Sequence, residues 1–160
     1  MEKDKRRQKR QGDIQRKFEE MARRTVYLLA SQTLQKPSIY RKTITLGIDE
    51  LWQADLVEMR EFASSNDGFN YMLCVIDCYS KFAWIEPLKT KTGSEVAEAF
   101  QRIFEKGRHP VNTQFDHGKE FYNTKVESLL KDRGINYYST DWDKKAAIVE
   151  RFNRTLKSRM

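Results

Sequence analysis

Short runs of apolar residues, bounded by turn-forming residues, predict β-strands in the middle of the chain. Three such runs cover residues 51–59, 71–76 and 81–85, and β-branched and aromatic side chains favour a strand in each. The sequence Asn-Asp-Gly at 66–68 and the polar segment 77–80 supply turns between them. Because both connections are short, the simplest interpretation is three consecutive antiparallel strands.

The spacing of apolar positions then changes to three and four residues, which is typical of one face of an α-helix. Thr92 and Glu95 have the spacing of a capping box ahead of the apolar residues Val96 and Phe100. This pattern predicts a helix that ends near Gly107. A short strand over residues 111–115 is expected to follow.

A second capping-box spacing, Thr124 with Glu127, predicts another helix, which Gly134 should end. A strand over 135–139 and a last helix over 143–160 complete the pattern. The predicted order is βββαβαβα, an α/β domain with a mixed sheet and flanking helices.

The N-terminal region differs in composition from the rest. Residues 1–12 carry six basic side chains and almost nothing apolar, so we expect a disordered tail that serves in nuclear import, DNA tethering or solubility. Residues 13–46 are interpreted as an amphipathic helix followed by a linker that contains Pro37. The main domain is then 47–160.

Composition narrows the possible partners. The chain has 160 residues, enough for one globular core, and 30 Lys and Arg against 23 Asp and Glu give it a net charge of +7, which favours nucleic acid as a partner. It has no apolar run long enough for a membrane span and no secretory signal, so an intracellular location is expected. With two cysteines and two distant histidines, a structural zinc site is not expected.

Three acidic residues stand out by their positions. Asp55 interrupts an apolar strand, Asp116 directly follows one, and Glu150 lies on the polar face of the last helix. A buried carboxylate needs a cationic partner, and three converging carboxylates could hold Mg²⁺ or Mn²⁺ as a pair of ions. Each acid alone also has a structural explanation, since Asp116 could cap a turn and Glu150 could pair with Arg154.

Four segments in this order resemble the integrase catalytic cores of retroviruses, retrotransposons and the large self-synthesising, Maverick/Polinton-like DNA transposons: WQADLVEM, YMLCVIDCYSKFAWIEPLKTKTG, FDHGKEFYN and KKAAIVERFNRTLK. The resemblance covers about residues 47–160. It implies a ribonuclease-H-like fold, two Mg²⁺ or Mn²⁺ ions, and cutting and joining of DNA ends by attack of water or a 3′-hydroxyl on phosphates. Asp55, Asp116 and Glu150 match the acidic triad of the family.

The same match implies a surface for DNA. Asn153, Arg154 and Lys157 correspond to the helix face that approaches DNA in the family, where basic side chains would neutralise phosphates. Lys144 and Lys145 belong to the loop before that helix and are expected to bind DNA as well. A homo-oligomer and a nuclear location are further expectations from this resemblance.

The chain ends soon after Glu150, whereas cores of the family continue through further helices. The sequence therefore predicts a C-terminally truncated catalytic core. Two other functions remain open at this point. A truncated or domesticated integrase remnant would bind DNA or a protein without catalysis, and a nuclease of the same fold would act on RNA–DNA hybrids.

Overall fold

A mixed sheet of five strands organises the protein, and the computed structural model describes residues 2–32, 43–139 and 146–158. Numbered along the chain, the strands are β1 Leu51–Glu58, β2 Tyr71–Asp77, β3 Ala83–Leu88, β4 Asn112–Phe115 and β5 Asn136–Ser139. Their order across the sheet is β3-β2-β1-β4-β5. The first three strands are antiparallel neighbours, as the sequence predicts.

Helices cover both faces of this sheet. They are α1 Glu2–Gln32, α2 Gly93–Phe104, α3 Thr124–Asp132 and α4 Ala147–Lys157, with a short 3-10 helix at Arg60–Ser65. From β1 onwards the element order is the predicted βββαβαβα, so the α/β fold class is confirmed. None of the described helices is long and apolar enough to cross a membrane.

The central position of β1 sets the geometry of the sheet. It pairs antiparallel with β2, where Asp55 faces Cys74, and parallel with β4, where Gln53 faces Gln114. Because β1 and β4 run in the same direction, their carboxyl ends meet at one edge of the sheet. Residues that follow β4 therefore lie beside the second half of β1.

Successive side chains of β1 alternate between two cores, as expected for a strand buried on both faces. Trp52 and Ala54 belong to a core under α2 and α3, whereas Val57 and Met59 belong to a core under α1 and α4. The second core contains these buried residues: Phe18, Ala22, Val57, Met59, Met72, Cys74, Ile76, Ala83, Ile85, Ala146, Val149, Phe152 and Leu156.

The N-terminal region differs from its prediction. A disordered tail was expected over 1–12, but α1 begins at Glu2 and runs without interruption into the predicted amphipathic segment. Its later turns are held by Phe18 and Ala22 in the second core, and Arg10 forms an ion pair with Asp67 at 3.0 Å. Lys, Arg, Gln and Glu are good helix formers, so a docked helix extends readily through them. The linker residues 33–42 lie outside the described residues.

A buried carboxylate connects α1 with the edge of the sheet. Glu86 of β3 is 2% exposed and accepts hydrogen bonds from Arg102 at 2.9 Å, Lys106 at 3.1 Å and Gln15 of α1 at 3.1 Å. Lys106 also pairs with Glu19 of α1 at 2.9 Å. These contacts satisfy the buried charge and fix α1 across β3.

The cap of α3 also differs from its prediction. Thr124 was expected to begin this helix as its cap, but the N-cap is Asn123, whose side chain accepts hydrogen bonds from the N–H groups of Lys125 and Val126 at 3.2 Å each. Asn is as good a cap as Thr, and the capping-box spacing misplaced the helix start by one residue. At α2, Thr92 is the N-cap but makes no side-chain cap bond.

Candidate active site

Asp55 occupies the middle of β1, on the face covered by α4. Its Oδ2 accepts a hydrogen bond from Nδ2 of Asn153 at 2.7 Å, and its neighbour across the strands, Cys74, is fully buried. This position combines a charged side chain with an apolar surrounding. It also ties Asp55 to α4, which carries Glu150.

Asp116 follows β4 directly and lies at the carboxyl edge of the sheet. The parallel pairing of Gln53 with Gln114, continued by two residues, brings Asp116 beside Asp55. Its Oδ1 accepts a hydrogen bond from the N–H of Gly118 at 3.1 Å, which orients the exposed carboxylate within its loop.

The same loop brings a fourth acid close to Asp116. A Cβ atom added at Gly118 would lie 2.7 Å from Cδ of Glu120 and 3.0 Å from Oδ1 of Asp116. The first distance is too short for a real Cβ and the second is tight, so these two carboxylates hold their observed positions because residue 118 has no side chain. The side chain of Glu120 thus lies against Gly118.

Glu150 lies in the first turn of α4, and a residue of β1 fixes the start of that helix. Oε1 of Gln53 accepts hydrogen bonds from the backbone N–H groups of Ile148 at 3.0 Å and Val149 at 3.1 Å. Sequence reasoning missed Gln53. The available signal was a second polar residue, two positions before Asp55, in a strand that is otherwise apolar.

The three acids affect one another electrostatically. The pKa of Asp55 is raised from 3.8 to about 6, mainly by burial and then by the negative charge of Asp116, while the hydrogen bond from Asn153 opposes the shift and Glu150 adds to it. The carboxylate of Asp55 therefore lies within electrostatic range of the other two acids. Among the described residues, however, no three His, Cys, Asp or Glu side chains are arranged closely enough to hold a metal ion.

The residues predicted to bind DNA fall into three groups. Arg154 and Lys157 are exposed on α4. Asn153 is only 7% exposed and its side chain donates a hydrogen bond to Asp55. It therefore does not lie on the exposed helix face on which the sequence analysis expected it to approach DNA. Lys144 and Lys145 lie outside the described residues.

The reason for the placement of Asn153 is the rotation of α4. Its buried stripe is Val149, Phe152 and Leu156, whereas Ile148, which has the same spacing from Phe152 as Phe152 has from Leu156, is only partly buried. At about 100° per residue, a stripe that contains Val149 instead of Ile148 has its centre roughly 30° closer to Asn153, which brings Asn153 to the edge of the core. Its Oδ1 is buried and has no hydrogen-bond partner among the residues that the structure describes.

Comparisons with known proteins agree with this geometry. The profile of the integrase core domain family matches residues 48–143. A transposon-derived protein of Caenorhabditis elegans is 45% identical over 103 residues, which is 64% of this chain and 36% of that protein. A retrovirus-related Pol polyprotein from transposon 297 of Drosophila melanogaster is 30% identical over 96 residues, 60% of this chain and 9% of the polyprotein. The chain thus spans about a third or less of the length of these relatives.

Solved structures show the same fold. The catalytic core domain of BIV integrase superposes with a TM-score of 0.57 at 20% identity, covering 69% of this chain and 68% of that one. The dimeric form of the HTLV-2 integrase catalytic core domain in complex with magnesium gives a TM-score of 0.57 at 17% identity, covering 74% and 72%. Since the family profile extends over more than half of the sequence and the fold is that of retroviral cores, this chain belongs to the integrase core domain family.

Proposed function

We propose that this chain is the catalytic core of a metal-dependent polynucleotidyl transferase that cuts and joins DNA ends. The observation that carries the proposal is the geometry around Asp55: the parallel register of β1 and β4 brings Asp116 beside it, and the hydrogen bond from Asn153 ties it to α4, the helix that carries Glu150. Membership of the integrase core domain family supports the class of reaction.

Asp55, Asp116 and Glu150 would hold two Mg²⁺ or Mn²⁺ ions. All three supply carboxylate oxygens, which are the ligands that these hard cations prefer. Positive charge would also relieve the repulsion that raises the pKa of Asp55. When bound, two such ions stabilise the attacking and leaving oxygens of an in-line displacement.

The residues around the triad have supporting roles. Asn153 holds the carboxylate of Asp55 in one orientation through its amide hydrogen bond. Arg154 and Lys157, which are exposed on the same helix, would neutralise DNA phosphates close to the acids. The backbone N–H of Gly118 orients Asp116. These contacts place charge and fix side chains before the substrate arrives.

The proposed partners are DNA and further copies of this chain, and the proposed location is the nucleus. The HTLV-2 core in complex with magnesium has a dimeric form, which supports self-association. A chain with a net charge of +7 suits a nucleic-acid partner.

Strand transfer with Mn²⁺ and a labelled DNA end tests the proposal. We expect product with the unaltered chain and none above background with Asp55→Asn or Glu150→Gln. Glu98→Gln, an exposed acid on α2 at the opposite face of the sheet, is the matched control and should retain full activity. Equal activity in all four proteins would overturn the assignment of the triad.

The substrate needs its own comparison. DNA ends, nicked DNA and RNA–DNA hybrids should be offered in parallel, because hybrid cleavage without strand transfer would indicate a nuclease of the same fold. DNA binding by a chain that joins no ends under any of these conditions would instead favour a non-catalytic remnant.

A further inference from the structure

The first turn of α4 lacks a local cap. The first N–H groups of a helix have no acceptor within the helix itself. The N-cap residue here is Ala146, whose methyl side chain accepts no hydrogen bond. Ala146 is also only 6% exposed, so water is a poor substitute. The acceptor has to come from elsewhere in the fold.

Gln53 provides this acceptor from the central strand. Its Oε1 binds the N–H groups of Ile148 and Val149, which are the second and third residues of α4 and the two that a capping side chain normally satisfies. Its Nε2 donates to Oε1 of Gln114 on β4 at 2.7 Å. Gln53 is 1% exposed, so both ends of its amide are committed inside the protein.

These contacts surround the position of Glu150. Glu150 follows Val149 directly, and one turn later Asn153 binds Asp55. Two hydrogen-bonded links therefore connect α4 to β1, one on each side of Glu150, and both start from the face of β1 that carries Asp55. The Gln114 contact extends the first link to β4, the strand that precedes Asp116.

We propose that Gln53 is a positioning residue that sets Glu150 relative to Asp55 and Asp116. This inference rests on the proposed function, in which the three acids act together. A competing explanation is that Gln53 only stabilises the helix, as any cap would. If Gln53 is a positioning residue, activity needs its link to the sheet. If Gln53 is only a cap, activity needs no more than an acceptor for the N–H groups of Ile148 and Val149.

Gln53→Met keeps the length of the side chain and removes both amide atoms. We expect faster hydrogen exchange of the Ile148 and Val149 amides by NMR, and a decrease in strand transfer of roughly 10- to 100-fold, because small displacements of catalytic groups have effects of this size. Gln53→Glu keeps an acceptor of the same length but loses the donor to Gln114, so it should retain the protection of both amides while its strand transfer lies between those of the unaltered chain and Gln53→Met.

Ala146→Ser in the Gln53→Met background separates the two explanations. A serine at the N-cap can accept from the same N–H groups but makes no link to β1. We expect this double variant to regain amide protection and melting temperature while its strand transfer stays low. Full recovery of activity would overturn the positioning role, and so would unimpaired activity of Gln53→Met.

The exchange measurement also distinguishes failure of this inference from failure of the proposed function. If the unaltered chain joins no DNA ends, the proposed function fails. The exchange rates of the Ile148 and Val149 amides still show whether Gln53 holds the start of α4. Unchanged exchange of these amides in Gln53→Met would show that Gln53 does not hold the start of α4, whatever the activity of the variant. Faster exchange confined to the first turn of α4 would show that Gln53 holds it.

Discussion

Asn153 and Asp55 are joined by a single hydrogen bond, donated by Nδ2 of Asn153 to Oδ2 of Asp55 over 2.7 Å. This bond favours the charged form of Asp55 and keeps its pKa lower than burial and the charges of Asp116 and Glu150 alone would set it. The packing of α4 against β1 is therefore coupled to the protonation of the central carboxylate.

Loss of this donor should make Asp55 a weaker acid. In Asn153→Ala we expect the pKa of Asp55 to move above its value of about 6, because the opposing hydrogen bond is gone while the burial remains. A carbon-13 titration of the side-chain carboxyl in metal-free protein measures this directly. The acidic limb of the activity profile should move to higher pH in the same direction.

A suitable control for that experiment is Thr155→Ala, which changes an uncharged side chain on the same helix whose hydroxyl donates to the carbonyl of Arg151. Its titration curve for Asp55 should match the unaltered chain. An unchanged or lower Asp55 pKa in Asn153→Ala would contradict the assigned role of the hydrogen bond.

The raised pKa of Asp55 also predicts how stability depends on pH. The folded protein binds the proton of Asp55 more tightly than the unfolded chain, with a pKa of about 6 against 3.8, so stability falls as pH rises between these values. The effect is at most roughly 3 kcal/mol, less where water screens the charges. Asp55→Asn should therefore unfold at a higher temperature than the unaltered chain at pH 7, without metal.

Two comparisons check this interpretation. The difference in melting temperature should shrink towards pH 4, where Asp55 is largely neutral in the folded protein. Mn²⁺ should stabilise the unaltered chain by mass action and leave Asp55→Asn nearly unaffected. A variant that is less stable than the unaltered chain at pH 7 would show that Asp55 is not under electrostatic stress.

Much of the fold could be predicted because it depends on local patterns. The apolar runs of β1 and β2 and the helical spacing of α2 are properties of short segments. The position of Asp116 directly after a strand was also visible. Its approach to Asp55 follows from the parallel pairing of β1 with β4, which the alternation of strands and helices makes probable in an α/β fold.

The remaining features depend on contacts between distant segments. Gln53 caps a helix that begins more than 90 positions later, and no local pattern marks such a pair. Ile148 and Val149 are equally apolar, so periodicity over a short helix could not decide which of them enters the core. The first turns of α1 are continuous with a segment that docks at Phe18 and, through Gln15, at Glu86, whereas the composition of residues 1–12 carries no information about these contacts.

Gly118 provides a test of the loop that carries Asp116. Gly118→Ala places a methyl group too close to Glu120, whose carboxylate has to move, and in tight contact with Asp116, whose carboxylate has to shift by a smaller amount. We expect lower strand-transfer activity with little change in melting temperature, because the loop is exposed. Gly118→Ala combined with Glu120→Ala removes the closer of these two contacts and should recover part of the activity.

Gly47→Ala is the control for that series, since no atom of the described part of the chain lies within 4 Å of the added Cβ atom. It should behave as the unaltered chain. Normal activity in Gly118→Ala would show that the position of Asp116 tolerates displacement, and would weaken the case for a geometrically defined triad.

Glu86 should determine how firmly α1 is attached to the core. Glu86→Ala removes the acceptor for Arg102, Lys106 and Gln15. The two cations are partly exposed and can return to water, so we expect a loss of about 1–3 kcal/mol in the free energy of unfolding. Because Gln15 and Glu19 lie on α1, hydrogen exchange should accelerate most within that helix.

Glu86→Gln removes the negative charge of this side chain and keeps its size, so it tests the contribution of the charge alone. The amide still accepts from one donor, so exchange in α1 should lie between the unaltered chain and Glu86→Ala. Strand transfer should persist in both variants, because Glu86 lies on the edge strand β3 and α4 keeps its own links to β1. If α1 exchanges at the same rate in all three proteins, Phe18 and Ala22 alone hold the helix, and the ion-pair cluster serves only to neutralise a buried charge.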